Sequence, residues 1–460
     1  MPLGKTRRRL IGAAAVIPLL VTTPVNGSLQ SASAQARLRP QANLNPCPKQ
    51  TGKVNITFWT WEGPPSVIQH IVNEFNASHP DIHVNVDQVT PGFSGGYEEA
   101  FNALRAGKAP DVDMIEYYEL PNFRFVNGLY NAAGCPAMKD VAKQFPGWVN
   151  EQDAVGEPGA VYAVPEDIEP LGMFYRKDLF AKYNLPVPTT WAQYQSDALA
   201  FKTDTNGTVK MADMNANDFR LLVGLDWQAG ALPFQYTGTG FTFDMDSPQA
   251  QTVANYWEGL IKDGVIDTAA GFTTPPEYIT WNNGTVATQI GPDYLTGFFK
   301  GQAPAASGDW AVAPIPQWAA GDHADGQAGG SATAIMAGTK HPYADAVFAD
   351  WFAANYPVQV QLYAGYVLAG ANSYLNNPAV IDMPNPYFGG QAPMSVFRTM
   401  ANYVNTSFQW APNMTAVFAD LQDNLQSAFN GSSTIEQAFV TTQNQAASNL
   451  RSLGVTVSTK

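Results

Sequence analysis

Residues 54–60, VNITFWT, put Val54, Ile56 and Phe58 on one side of an extended chain. That period of two predicts a strand with one better-buried face. From Ser66 the run SVIQHIVNEFNA repeats apolar residues at helical spacing through Val67, Ile68, Ile71, Val72 and Phe75, with Ser66 placed to open the helix. DIHVNVDQV alternates again through Ile82, Val84 and Val86, residues 97–105 read as a second helix, and DVDMIEY as a third strand. The order βαβαβ predicts an α/β fold that begins as a parallel, doubly wound sheet. Further helices are predicted at 191–202, 249–263, 344–354 and 416–429, and short strands at 286–290 and 311–313. The sequence carries no internal repeat and no heptad run.

The stretch YAVPEDIEPLGMFYRKDLF, from Tyr162, crowds acids, aromatics and prolines together. Pro165, Pro170 and Gly172 punctuate it, 173–175 form a strand-like patch, and a helix begins near Asp178 and stops before Pro186. Asp167 and Glu169 lie two apart, hence on one face of an extended chain. They either meet a ligand there or cap and pair locally with Arg176 and Lys177.

Composition adds scale. A chain of 460 residues, 45% apolar and 12% aromatic, fills two cores rather than one. The net charge is −14, and four basic residues (Lys5, Arg7, Arg8 and Arg9) sit in the leader, so the body is more acidic still. Such a body argues against nucleic acid as a partner. Residues 5–9 form a charged n-region, 10–21 an apolar h-region, and Ala34-Gln35-Ala36 a small-x-small cleavage pattern, so 1–36 read as an export signal. Arg7-Arg8-Arg9 fits a twin-arginine signal and an ordinary secretory n-region equally. No later segment reaches the roughly twenty apolar residues of a membrane span, so the expected location is outside the cytoplasm, periplasmic or at the cell surface.

Two cysteines occur, Cys47 in NPCPK and Cys135 in AGCPA. An exported chain with an even pair predicts a disulfide tying the N-terminal arm, 37–50, to the first lobe. The alternative is a lipid anchor on Cys47, although Leu44-Asn45-Pro46 lacks the small residues such processing favours.

Enzymatic motifs are missing. There is no P-loop. His70, His79 and His83 form no HExxH motif and have no cysteine company, and His323 and His341 stand alone. No cofactor or metal is expected. A glycosidase built on cleft carboxylates is the alternative, but Asp167 and Glu169 are too close in sequence to straddle a glycosidic bond. What the chain does hold is 11 Trp and 19 Tyr, many beside Gly, Pro and Asx. Flat rings and polar edges suit pyranoses, which present apolar C–H faces and hydroxyl rims.

The run YAVPEDIEPLGMFYRKDLFAKYNLPVPTTW, taken with FWTWEGPPSVIQHIVNEFNASHPDIHV, APDVDMIEY, WNNGTVATQIGPDY, DWAVAPIPQW, GGSATAIMAGTKHPYADAVFADWF and YFGGQAP before FQWAP, resembles the extracellular solute-binding proteins of bacterial ABC importers. The similarity is to their sugar-binding branch, which includes the maltodextrin-binding proteins. It implies a periplasmic-binding-protein type II-like fold: two α/β lobes, a ligand cleft between them and hinge crossovers near 162–167, 329–331 and 366–372. The lobes would comprise 51–163 with 330–368, and 164–329 with 369–460. The function it implies is capture of a neutral di- or oligosaccharide by a monomer that delivers it to membrane permeases, with no nucleic acid involved.

Candidate ligand residues combine position and resemblance. Trp61 and Glu62 follow the first strand, and Glu116 and Tyr117 end the third, where open α/β sheets place ligand loops. Trp61 could equally pack as core. By resemblance Asp167 and Glu169 line the cleft floor, and Trp227, Trp281, Asp293, Tyr294 and Trp410 sit on ligand-facing loops of the second lobe. Gly329, Gly330 and Ser331 allow close backbone approach at the second crossing or serve only its turn.

Overall fold

The computed structural model describes residues 45–405 and 407–460. The export-signal reading, 1–36, and most of the arm lie outside these residues. The chain opens with β1 (Val54–Thr60), α1 (Pro65–Ser78), β2 (Ile82–Gln88), α2 (Gly96–Arg105) and β3 (Val112–Glu116), the βαβαβ order that hydrophobic periodicity predicts. Helix α1 starts one residue early: Pro64 is its N-cap and Pro65 its first residue. Proline is pre-set for that position because the first helical N–H has no intrahelical acceptor, so Ser66 falls inside the first turn.

After α3 (Leu120–Phe125) and α4 (Gly147–Ala154), the chain passes through β4 (Ala163–Pro165), β5 (Asp167–Ile168) and β6 (Leu171–Arg176) into the second lobe. That lobe holds α5 (Lys177–Lys182), α6 (Trp191–Asp204), β7 (Ala212–Asp213), α7 (Phe219–Gln228), β8 (Phe234–Tyr236), β9 (Gly240–Phe243), α8 (Pro248–Lys262), β10 (Ile266–Asp267), β11 (Thr288–Pro292) and β12 (Trp310–Pro314). Thr190 and Ser247 cap α6 and α8, each accepting a backbone N–H three residues on, a contact worth about 1 kcal/mol. The chain then returns as β13 (Ser331–Ile335), crosses again as β14 (Leu368–Ala369), and ends in the helices Met414–Phe429 and Ile435–Ser452 and strand β15 (Thr456–Thr459).

The first sheet runs β2-β1-β3-β13-β4. Its β1–β2 and β1–β3 pairs are parallel, whereas β13 is antiparallel to both neighbours. In the second lobe β11 and β12 flank β6, both antiparallel to it, and the parallel β7–β10 pair joins through the parallel Lys210–Val286 bridge. Each sheet therefore has one reversed strand. The cause is topological: β6 and β13 both enter from the crossing, where the other strands of their sheets end.

Three crossing segments lie side by side. Asp167–Ile168 pair with Leu368–Ala369, and on the other side Glu166 N–H donates to Ser331 O at 2.9 Å and Ala328 N–H to Glu169 O at 3.1 Å. Phe58 fixes a face of the first sheet, with its ring edge-on to Phe348 and Phe352 at 5.1 and 4.9 Å. Among the described residues no helix is long and apolar enough to cross a membrane.

Cys47 and Cys135 form a disulfide with their Cα atoms 5.1 Å apart. Its sulfur committed to that bond, Cys47 has no thiol to carry an acyl chain. The bridge closes a loop with its ends 88 residues apart, and Tyr130 Oη also donates to Pro46 O. Cys47→Ser with Cys135→Ser is expected to cost roughly 2–4 kcal/mol, chiefly by releasing the unfolded chain. Urea denaturation of oxidised wild type beside the double variant checks it, and coincident midpoints would show that the tie does not stabilise the lobe.

Candidate binding site

The carboxyl ends of the strands and the three crossings put polar side chains from both lobes into one region. On the first lobe, Glu116 closes β3 and is buried. Its Oε2 accepts Tyr97 Oη at 2.8 Å and Tyr118 Oη at 2.5 Å. Its Oε1 lies 3.5 Å from Nη1 of Arg220, which stands on the first turn of α7 in the second lobe. Trp61 follows β1, partly exposed, with its ring edge-on to Tyr97 at 5.9 Å. Beside it Glu62 is pushed up to about 7 by burial and then by Asp167.

The crossing supplies the floor. Asp167 Oδ1 accepts both the backbone N–H of Ser331, at 2.8 Å, and its hydroxyl. Tyr117 Oη donates to Asp167 O at 2.9 Å. Gly330 has φ +94°, and a Cβ there would meet the Tyr117 ring at 2.6 Å, so glycine is required both for the backbone conformation and for the approach. Glu166, absent from the sequence-derived candidates, is held by Thr333 Oγ1 and by Tyr363 Oη at 3.1 Å. Glu169 differs: its Oε2 is buried over the Cα of Gly329 with no hydrogen-bond partner. Burial drives it well above the usual carboxyl range, with Asp167 adding to the rise and Arg220 opposing it.

The second lobe brings Tyr294 and Asp293 from the end of β11. Tyr294 lies in the field of Arg220, which opposes the upward push of burial on its hydroxyl. Asp293 is fully buried and its Oδ2 accepts Leu368 N–H at 2.5 Å. It therefore braces the third crossing, although its Oδ1 has no partner.

Two tryptophans require correction. Trp281 is completely buried, stacked on Phe299 at 4.2 Å, and its carbonyl faces Arg176 and Trp310. The Asn-Asn-Gly that follows it reads as a loop in sequence but is the end of the helix Pro275–Asn283, with Gly284 as its left-handed cap at φ +67°. Trp227 likewise lies in α7, stacked flat on Phe408 at 4.0 Å, and its Nε1 donates to Asn405 O at 2.9 Å. Neither offers a free ring face to a ligand in this conformation. Trp410, outside regular structure, is buried against Tyr118, Trp227 and Phe408, and its Nε1 has no partner.

Arg220, Tyr118, Glu119 and Glu166 escaped sequence reasoning. A signal for Arg220 exists: between Lys210 and Lys262 no other Lys or Arg occurs, and this one opens an apolar helix. Glu119, pushed to about 7 by burial, accepts a hydrogen bond from Thr415 Oγ1 of the facing lobe.

Burial lifts Asp167 to about 6 and Glu166 to about 8, so near neutral pH Glu166 holds its proton whereas Asp167 is mostly ionised. A protonated carboxyl donates and accepts hydrogen bonds, as sugar hydroxyls do. A carboxyl raised above its unfolded value contributes fully below that value, 4.5 for Glu166, and the contribution is lost as pH rises through the folded pKa. The thermal midpoint is therefore expected to fall between about pH 5 and pH 8.5. Differential scanning fluorimetry across that range checks it, and a midpoint rising with pH would mean that these carboxyls are ionised and paired.

The sequence profile of the bacterial extracellular solute-binding proteins matches residues 60–359. The chain belongs to that family. As a solute-binding protein it is 22% identical over 298 residues to the arabinooligosaccharide-binding protein of Bacillus subtilis (strain 168), covering 64% of this chain and 67% of that one. Among solved structures it is similar to the ABC transporter associated binding protein from B. animalis subsp. lactis Bl-04, in complex with beta-1,6-galactobiose, with a TM-score of 0.74, 22% identity and coverage of 88% and 100%. It is similar also to the galacto-N-biose-/lacto-N-biose I-binding protein from Bifidobacterium longum, with a TM-score of 0.77, 22% identity and coverage of 89% and 100%. These likenesses show the fold of this solute-binding protein: two α/β lobes joined by crossings.

Proposed function

We propose that this protein is the extracytoplasmic sugar-capturing component of an ABC importer, taking a neutral di- or oligosaccharide between its lobes and presenting it to membrane permeases. The observation that carries the reading is the convergence of Glu116 and Tyr118 from one lobe with Arg220 and Tyr294 from the other, beside the crossing acids Asp167 and Glu169. A ligand touching both half-sites favours the closed arrangement by its differential affinity. Protonated carboxyls and phenols match hydroxyls, and the acidic surroundings disfavour anions. The named relatives support the same class, binding arabinooligosaccharides and galactobiose.

In this reading the protein acts as a monomer, without a cofactor, and leaves its ligand unchanged. One lobe comprises 51–163 with 330–368 and the other 164–329 with 369–460. Trp61, Glu62, Glu116, Glu169, Tyr294 and Trp410 are the contacts we assign to the ligand, with Asp167, Tyr117 and Gly330 shaping the floor.

The test is a thermal-shift screen of the mature protein against mono- and oligosaccharides, since a ligand bound only by the native state raises the midpoint. A shift confined to neutral sugars supports the reading, and a panel without any shift overturns it. Chromatography of the bound sugar after long incubation separates binding from hydrolysis, because progressive shortening would reveal a glycosidase.

A further inference from the structure

Glu169 has neighbours on both sides of the cleft. Its own crossing adds Asp167, the first lobe Glu116 and Tyr117, and the second lobe Arg220, Asp293 and Tyr294, all within reach of its field. The residue is partly exposed, yet its Oε2 is enclosed and has no hydrogen-bond partner. The lobes touch around it, Glu116 meeting Arg220 at 3.5 Å and Glu119 accepting Thr415 Oγ1. We propose that closing the lobes takes up a proton on Glu169, so that sugar capture and protonation of the crossing favour one another. The inference rests on the sugar-binding reading above.

Charge on Glu169 is poorly met while the lobes touch. An ionised carboxylate leaves its Oε2 negative with no donor in an enclosed space, which costs more than enclosing the neutral acid. Asp293 sharpens the penalty. It is fully buried, its Oδ2 takes Leu368 N–H and its Oδ1 has no donor, so a second acid stands unrelieved within the field of the first. Asp167 adds a third, held by the backbone N–H of Ser331. Arg220 opposes these acids at Glu169, but it also serves Glu116.

Parting the lobes reverses the largest of these effects. Hinge opening draws Arg220 and Tyr294 away with the second lobe and admits water to Oε2, which solvates the charge. Losing Arg220 works the other way. Burial is nevertheless the first cause of the rise at Glu169, ahead of Asp167 and Arg220, so hydration wins and the carboxyl returns toward its ordinary value of 4.5. A group whose pKa is higher in the closed state favours closure below its open-state value, and that contribution is lost as pH rises through the closed-state value. Sugar affinity therefore falls with rising pH, by up to about tenfold per unit for one linked proton. By reciprocity, bound sugar raises the affinity of Glu169 for its proton by the same factor.

The experiment is titration calorimetry of the full mature chain with galactobiose and with arabinotriose, in phosphate and in Tris at about pH 7.5. The two buffers release protons with different heats, so the difference in binding enthalpy counts the protons taken up. Wild type is expected to take up about one proton per sugar bound, and its affinity to fall at least about tenfold between about pH 6 and pH 8. Glu169→Gln, neutral at every pH, is expected to lose that proton and most of the pH dependence. Equal enthalpies in the two buffers with a pH-independent affinity overturn the linkage and leave the sugar reading standing. Full proton uptake by a folded Glu169→Gln overturns it as well, and the wild-type proton count decides if that variant misfolds. Where neither sugar binds, small-angle scattering of the sugar-free chain decides, while the sugar reading is judged by the thermal-shift panel. A radius of gyration that grows with pH over the same range in wild type supports the linkage, and a constant one overturns it.

Discussion

Trp281→Ala is expected to lower stability by about 3–5 kcal/mol, the range for emptying a buried aromatic site. The indole lies flat against Phe299 and beside Tyr278 at 5.4 Å, with Trp310 4.5 Å from Phe299 in the same cluster. Its backbone carbonyl, which receives the Trp310 and Arg176 donors, remains in the variant, so the loss comes from the cavity. Sugar affinity, measured well below the lowered midpoint, is not expected to change comparably. Chemical denaturation gives the stability, and calorimetry gives the affinity. A variant that keeps its midpoint but loses binding would place this tryptophan in the cleft.

Arg220→Ala is expected to lower stability by about 3 kcal/mol and to weaken sugar binding. The arginine links the lobes through Glu116 and offsets the rise that burial imposes on Glu116 and Glu169. Removing one partner of a buried pair generally costs about 3–5 kcal/mol. The side chain is 18% exposed, which favours the lower end. Arg220→Ala with Glu116→Gln should recover part of the loss, because the uncompensated acid is gone too. Equal affinities in wild type and Arg220→Ala would remove the pair from the mechanism.

The first βαβαβ was legible because each of its elements carries a clean period. Val54, Ile56 and Phe58 are all buried on one face of β1, as alternation requires. The crossing was legible through its punctuation and its resemblance to a known family. The tryptophans were not, because a residue's neighbours along the chain do not say which side of a helix it occupies. Trp281 precedes Asn-Asn-Gly, which marks a helix end from within. Trp227 lies on a helix that is buried nearly all round, so no stripe reveals its direction. Asp167 and Glu169 share a crossing segment but part company in role: Ser331 occupies Asp167, whereas Glu169 Oε2 is left without a hydrogen bond. That difference depends on a segment more than a hundred and fifty residues away, which periodicity does not report.

The reversed strand β13 has a consequence for the order of assembly. It lies between β3 and β4, yet its Thr333 comes 167 residues after Glu166, whose carboxyl it bonds. While the chain is being synthesised, the first sheet has an open slot between β3 and β4, whose facing edges stay unpaired until the second lobe's central strands have all been made. Contacts this distant in sequence slow folding, and unpaired strand edges invite association with other chains. The nascent protein therefore stays unfinished, and dependent on protection, until nearly three quarters of it has emerged. The first lobe cannot be expressed as one continuous fragment ending before β13 and be expected to complete its sheet.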